Sequence, residues 1–224
     1  MLSFIGLGLY DERSITLRGR DALESTDAVF AEWYTSRLAG TSVDRLEVLH
    51  GIEIEVRDRP GVEQHPEPIL DAAEEGHAAF LTAGDTMIST THVDLRLRAH
   101  ERGIDTRVIH GTTAQTAASS LTGLQNYRFG KATTLPFPET HGGVPDSVIE
   151  TVEANRDRDL HTLVYLDIDG ENERFLTGDR AADLLADREF GPPLHLLVLP
   201  AAPHPLEADA LVELGGAPST TVEN

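Results

Sequence analysis

The segment Leu81–Arg98, LTAGDTMISTTHVDLRLR, sets more chemistry-bearing side chains around one turn than any other part of the chain. An apolar run, Ala78–Leu81, leads into a small-residue turn that carries a single carboxylate, Asp85. The hydroxyls of Ser89, Thr90 and Thr91 then open what the pattern predicts as a helix, Thr90–Arg102. Strand, glycine-containing turn and hydroxyl-capped helix is how α/β proteins hold a ligand at the carboxyl ends of their strands. A lone carboxylate there could hold a ribose, an amino group or a cationic centre. The lesser alternative is that it caps the helix, since aspartate does so freely.

Other constellations are weaker. Gly6-x-Gly8 lacks the third glycine of a dinucleotide fingerprint. Gly123…Gly130-Lys131-Ala132 has too long a spacer for a phosphate loop, and alanine where Ser or Thr is required. The ten histidines show no metal-ligand spacing, so no metal is expected. No G-x-S-x-G elbow is present. The absence of cysteine excludes disulfides and thiolate chemistry.

Around these residues, short apolar runs alternate with amphipathic ones. Strands are predicted at Leu2–Leu9, Ala28–Trp33, Ile52–Val56, Ala78–Leu81 and Thr106–Ile109. Helices are predicted at Leu17–Leu23, Val43–Leu49, Pro68–Glu75 and Thr90–Arg102, which together imply a largely parallel sheet covered on both faces. Val93, Leu95, Leu97 and Ala99 alternate as in a strand, but the hydroxyl cap, the Asp94/Arg98 pair at i,i+4 and the stop at Gly103 favour helix. After His110-Gly111 comes a small-residue helix, TTAQTAASSLTGL. Strand Thr133–Phe137, helix Pro145–Asn155, strand His161–Ile168, helix Arg180–Ala186, strand Leu194–Leu199 and helix Leu206–Leu214 follow. The reading is an N-terminal α/β domain over 1–111, a C-terminal α/β domain over 112–214 and a loose tail over 215–224.

The formal charge is −20, from 18 Lys plus Arg against 38 Asp plus Glu, and Lys131 is the only lysine. Such a surface suits very concentrated salt, where carboxylates hold water and counterions screen their repulsion. It offers no basic stripe for nucleic acid. No apolar stretch reaches membrane-spanning length and Ser3-Phe4 begins a strand at once, so the expected location is the cytoplasm.

Five blocks go further: FIGLGLYDERSITLRG, VFAEWYTSRLAGT, LTAGDTMISTTHVDLRLRAHERGI, LTGLQNYRFGKATTLPFP and LHTLVYLDI. In this order they closely resemble the archaeal diphthine synthases, of the tetrapyrrole-methylase-like class of methyltransferases. The resemblance implies two α/β domains with the ligand cleft between them, S-adenosyl-L-methionine as cofactor and, usually, a homodimer. It also implies methyl transfer to the amino group of an aminocarboxypropyl-modified histidine on translation elongation factor 2, giving the trimethylated diphthine of diphthamide synthesis. Two other readings are a non-catalytic relative that binds cofactor or elongation factor 2, and a tetrapyrrole methyltransferase of the same fold. The blocks YTSRLAGT and LTGLQNYRFG argue against the last.

Carried over by position, the resemblance implies cofactor contacts at Leu9, Asp85, Ile88, Thr113, Ala114, Leu166 and His195. Taken as residues, Leu9 is as well explained by a core, and His195 by a core histidine satisfied by backbone. Where the family has Gly-Asp-Pro this chain has Gly84-Asp85-Thr86, losing the fixed φ of proline. Candidate proton acceptors are His92, Tyr10 and Asp11, although His92 also fits a first-turn helix residue. After Ala186 the family normally has a further strand, a turn with a cofactor contact and a helix; roughly one βα unit is absent here.

Overall fold

The computed structural model describes residues 1–170, 172–178 and 196–222. The chain divides into two compact units, one of Met1–Thr113 with Gly170–Asn172, the other of Ala114–Asp169 and the residues from Glu173 on.

The first unit is built on five strands, β1 (Leu2–Gly6), β2 (Ala28–Glu32), β3 (Glu55–Arg57), β4 (Ala78–Thr82) and β5 (Thr106–Ile109). They form one parallel sheet in the order β3-β2-β4-β1-β5. Every residue of β1 and β4 is buried, as expected of central strands covered on both faces. Side chains alternate between two cores. Ile5, Val29, Ala31, Ala79 and Leu81 meet Ala22 and Leu23 of α1 (Leu17–Leu23) and Leu46 of α2 (Val43–His50). Leu2, Phe4, Phe30, Ala78 and Phe80 meet the opposite layer: Val62 of α3 (Arg59–Glu63), Ile69, Leu70 and Ala73 of α4 (Glu67–Glu75), and Leu95 and Ala99 of α5 (Val93–Glu101).

Local chemistry sets the ends of these helices. Thr16 and Asp58 accept N-cap hydrogen bonds from Gly19 and Gly61, at 3.1 and 2.7 Å. At the far end of α5, Gly103 adopts φ +71°, its N–H donates to His100, and Ile104 donates to Ala99. That is a Schellman stop, and the Asp94–Arg98 pair closes at 2.8 Å.

The start of α5 differs from expectation. The helix begins at Val93, with His92 as N-cap and no side-chain cap bond. The Thr90 hydroxyl turns back to donate to Thr86 O and accepts from His92 N, building a turn ahead of the helix instead of capping it. The strand expected at Ile52–Val56 sits later, at Glu55–Arg57, and the first strand ends at Gly6 because Gly8 turns at φ +76°. Helix α3 was not expected from Arg-Pro-Gly-Val-Glu; the Asp58 cap and burial of Val62 make it.

The second unit holds α6 (Ala114–Thr122), β6 (Thr133–Leu135), α7 (Pro138–His141), α8 (Asp146–Arg156), β7 (Thr162–Leu166), a two-residue hairpin of β8 (Ile168–Asp169) and β9 (Arg174–Phe175), β10 (Leu196–Leu199) and α9 (Pro205–Glu213). The strand expected over His161–Ile168 thus breaks into β7 and β8. The β6–β7 pairing is parallel and the β7–β10 pairing antiparallel. Leu135, Phe137, Val148, Val164, Leu166 and Leu176 form the core. The small residues after α6 allow close packing: a Cβ on Gly123, at φ +72°, would stand 2.3 Å from that of Ala210 on α9. Within the expected tail a 3-10 turn forms at Ser219–Thr221. The expected helix Arg180–Ala186 lies outside the described residues.

Candidate cofactor-binding site

Strand order locates the place where this sheet can take a ligand. From β1 the chain crosses toward β2, whereas from β4 it crosses β1 toward β5. Adjacent strands whose connections leave in opposite directions open a crevice at their carboxyl ends. The two loops that diverge there are joined backbone to backbone: Gly8 N donates to Gly84 O at 3.1 Å and Gly84 N to Gly8 O at 2.7 Å. Both glycines have φ near +75°. A Cβ on Gly6 would fall 2.5 Å from Gly84 O, and one on Gly111 only 2.2 Å from the same oxygen. The ends of β1, β4 and β5 therefore meet as bare backbone, and only glycine permits it.

Asp85 organises this floor. It is buried, Oδ1 accepts from Met87 N at 3.0 Å, and Oδ2 accepts from Gly111 N at 3.2 Å. His110 Nδ1 lies 2.8 Å from the same Oδ2. The carboxylate closes its own turn and also ties β4 to β5. With about four lone-pair sites it still has acceptor capacity for a ligand donor.

Leu9 follows Gly8 on the β1 loop and is half-buried; Ile88 is 41% exposed; Thr113 lies beside Gly84, its Cα 4.0 Å from where a Cβ on that glycine would stand. These three and Asp85 share the carboxyl end of one sheet. Ala114 begins α6 and Leu166 ends β7, both in the other unit. Leu166 is a core residue there, packed with Val164 and Leu176, and not an exposed wall. His195 lies outside the described residues.

Of the candidate proton acceptors, His92 is the most deeply buried. It is 1% exposed, its ring meets Phe80 edge-on, and burial pushes its imidazole pKa down. Tyr10 is 70% exposed at φ +76°. Asp11 Oδ1 accepts from Arg13 N at 3.0 Å and from the Ser14 hydroxyl, so it shapes the β1 loop. Sequence reasoning missed Gly111, His110 and Glu32. The glycine after β5 was the available signal for the first; nothing local marked the other two.

The family model for "Tetrapyrrole (Corrin/Porphyrin) Methylases" matches residues 1–198. The chain is similar to the diphthine synthase of Halorubrum lacusprofundi, 63% identical over 264 aligned positions that cover 100% of both chains. It is 58% identical to that of Natronomonas pharaonis, covering 99% and 98%. A crystal structure of a diphthine synthase superposes with a TM-score of 0.87 at 30% identity, covering 99% and 98%. The chain belongs to the diphthine synthase family. It is therefore a methyltransferase that uses S-adenosylmethionine, with a role in diphthamide biosynthesis. The Halorubrum alignment has 264 positions against 224 residues here, so that relative carries at least 264 − 224 = 40 residues with no counterpart. The place expected for the difference, after Ala186, lies outside the described residues.

The first unit fits that cofactor. A side-chain-free floor lets a nucleoside approach the backbone, Ile88 offers it exposed apolar surface, and Asp85 keeps spare acceptor capacity. Among the described residues no cluster of His, Asp and Glu could hold a metal.

Proposed function

We propose that this methyltransferase trimethylates the amino group of the aminocarboxypropyl-modified histidine of translation elongation factor 2, producing diphthine. The observation that carries the reading is the glycine-floored turn at Asp85 in a chain related end to end to diphthine synthases. Leu9, Asp85, Ile88, Thr113 and Ala114 are the proposed cofactor contacts, with Asp85 also fixing the turn. Leu166 and His195 are retained as contacts on family position alone.

When bound, S-adenosylmethionine supplies an electrophilic methyl group on a sulfonium. The chain's task is then alignment of a neutral amine and exclusion of water, which can account for most of the acceleration in such a displacement. The rigid backbone floor, held by the Gly8–Gly84 pair and by Asp85, serves alignment. Proton removal before the first transfers falls to solvent, to the exposed Tyr10 or to the half-buried Asp11.

The chain acts in the cytoplasm as a homodimer in this reading. In support, among the described residues no helix is long and apolar enough to cross a membrane. Leu121, Tyr127, Leu206 and Leu214 of the second unit are exposed apolar side chains available for self-association.

The test is methyl transfer from labelled S-adenosylmethionine, in concentrated KCl, to an archaeal elongation factor 2 bearing the modified histidine, with methyl groups counted by mass. Three additions per histidine are expected. Cofactor binding without transfer would sink the enzyme reading.

A further inference from the structure

Away from the glycine floor, the face of the sheet under α3 and α5 contains a cluster of polar groups with unusual burial. Glu32 ends β2 and is 0% exposed; His92 precedes α5 and is 1% exposed; Thr82 and Thr86 are as deeply buried. The β2–β4 register, Phe30 opposite Phe80, puts Glu32 and Thr82 on the same face as those two rings. Glu32 Oε2 accepts from Tyr34 N at 3.1 Å and Thr35 N at 2.9 Å, and Oε1 accepts from the Thr35 hydroxyl. Its carboxylate thus holds the loop after β2.

His92 holds the loop after β4. Nδ1 lies 3.0 Å from Thr86 O, and a carbonyl only accepts, so Nδ1 carries the proton and donates. Thr86 O also accepts from the Thr90 hydroxyl at 3.1 Å. With Nδ1 protonated, Nε2 of the neutral ring is an acceptor; it makes no hydrogen bond and stands 4.0 Å from Glu32 Oε1. Burial pushes the Glu32 carboxyl pKa up and the His92 imidazole pKa down. Glu32 Oε1 faces Nε2 at 4.0 Å, a packing contact beyond hydrogen-bond length. The charged and titratable groups around the pair are Asp58, Arg59 and Glu63 on and before α3, and Tyr34 after β2.

We propose that Glu32 and His92 are a buried positioning pair that locks the Asp85–Ile88 turn to the loop after β2. Thr86 is the next residue after Asp85, so the His92–Thr86 bond fixes the peptide on which the Asp85 turn depends. The threonine that stands at position 86 lacks proline's fixed φ, and the histidine bond supplies that restraint by tertiary contact. The pair touches no reacting atom in this role. Its effect on cofactor affinity rests on the reading that the Asp85 turn holds S-adenosylmethionine.

Two variants of similar polarity separate positioning from bulk. In His92→Asn the amide N–H can stand where Nδ1–H stood and donate to Thr86 O; in His92→Gln the longer side chain offers its amide near the Nε2 position. Amide hydrogen exchange over residues 84–92, S-adenosylmethionine affinity by calorimetry and the KM for each substrate are measured in concentrated KCl. His92→Asn, which keeps the Thr86 bond but not the contact with Glu32, should speed exchange across 84–92 less than His92→Gln does. His92→Gln should speed exchange across 84–92 and raise the cofactor Kd and KM on the order of ten-fold, with the KM for elongation factor 2 unchanged. Glu32→Gln should retain the lock, and Glu32→Leu should lose it.

Unchanged exchange over 84–92 in both His92→Gln and Glu32→Leu would overturn the pair. So would equal loosening in His92→Asn and His92→Gln. Faster exchange with unchanged cofactor affinity would uphold the lock and instead refute the placement of cofactor at this turn.

Discussion

Asp85 Oδ2 lies 2.8 Å from His110 Nδ1 and also accepts from Gly111 N, so one buried carboxylate joins the turn after β4 to the end of β5. The two partners are unequal. Asp85 is buried, whereas the His110 side chain is 78% exposed. Removing the carboxylate strands two backbone donors, those of Met87 and Gly111; removing the imidazole strands none, because water can reach the carboxylate's edge.

Asp85→Ala should therefore lower stability by about 2–3 kcal/mol and cofactor affinity by roughly ten-fold or more. His110→Ala should cost under about 1 kcal/mol, in the range of exposed ion pairs. Denaturant unfolding and cofactor titration, run on both variants in the same concentrated salt, check the contrast. Equal losses would mean that the carboxylate does not organise the turn through its backbone donors.

The glycine floor makes a sharper demand. At Gly111 a methyl group would sit 2.2 Å from Gly84 O, backbone against backbone, with no flexible side chain to move aside. Gly111→Ala should cost about 1–3 kcal/mol or more through overpacking. Gly51→Ala meets nothing within 4 Å, although its φ of +66° adds strain. The measured outcome is a larger fall in thermal midpoint for Gly111→Ala than for Gly51→Ala, with loss of cofactor binding only in the former.

Some of this architecture was legible in the residues alone. Leu17–Leu23 and Thr106–Ile109 fall where periodicity puts them, because each is a short apolar pattern with a clear start and stop. The strand, turn and carboxylate around Asp85 were legible too. What the carboxylate does was not, since its partner Gly111 is 26 residues away. Helix α3 was hidden because Pro60-Gly61 reads as a turn, and only packing of Val62 makes it helical. Glu32 and His92 were opaque for the same reason: a carboxylate ending a strand and a histidine opening a helix look solvated until α3 and α5 close over them.

In the second unit, Glu207 sits at the centre of another buried network. It accepts from Gln125 N at 2.9 Å and His204 N at 2.8 Å, and it pairs with Arg128. Ala201 N donates to His161 Nδ1, which leaves Nε2 carrying the proton that His161 gives to Glu207 at 3.1 Å. Burial alone would raise the carboxyl pKa, but the hydrogen bonds from Gln125, His204 and His161 outweigh it and hold the value at about 2, against 4.5 unperturbed. A lowered folded-state pKa means stabilisation that is full above pH 4.5 and is lost as pH falls toward about 2. Glu207→Gln should flatten the acid limb of the stability curve in that window. Glu207→Ala should cost about 3–5 kcal/mol at neutral pH, because Arg128 is left without its buried partner. Equilibrium unfolding of the three proteins across pH decides it, and an unchanged acid limb in Glu207→Gln would exclude this carboxylate as its source.

Salt should act on the whole surface at once. The formal charge of −20 leaves carboxylates without enough cations to pair, and Lys131 is the only lysine. Several ion pairs that do form are exposed, such as Arg20–Glu24 at 3.9 Å and Arg98–Asp94 at 2.8 Å, and each is worth little. The dominant surface term is then mutual repulsion, which a Debye length of about 10 Å at 0.1 M leaves active and about 3 Å at 1 M suppresses. The thermal midpoint should rise steeply with KCl over roughly that range and keep rising where only ion-specific hydration is left. Replacing exposed carboxylates by neutral amides at Asp21 and Glu24 should reduce the salt dependence while leaving cofactor affinity unchanged. A midpoint that falls with KCl would show that the acidic surface is stabilised by its ion pairs and not by screening.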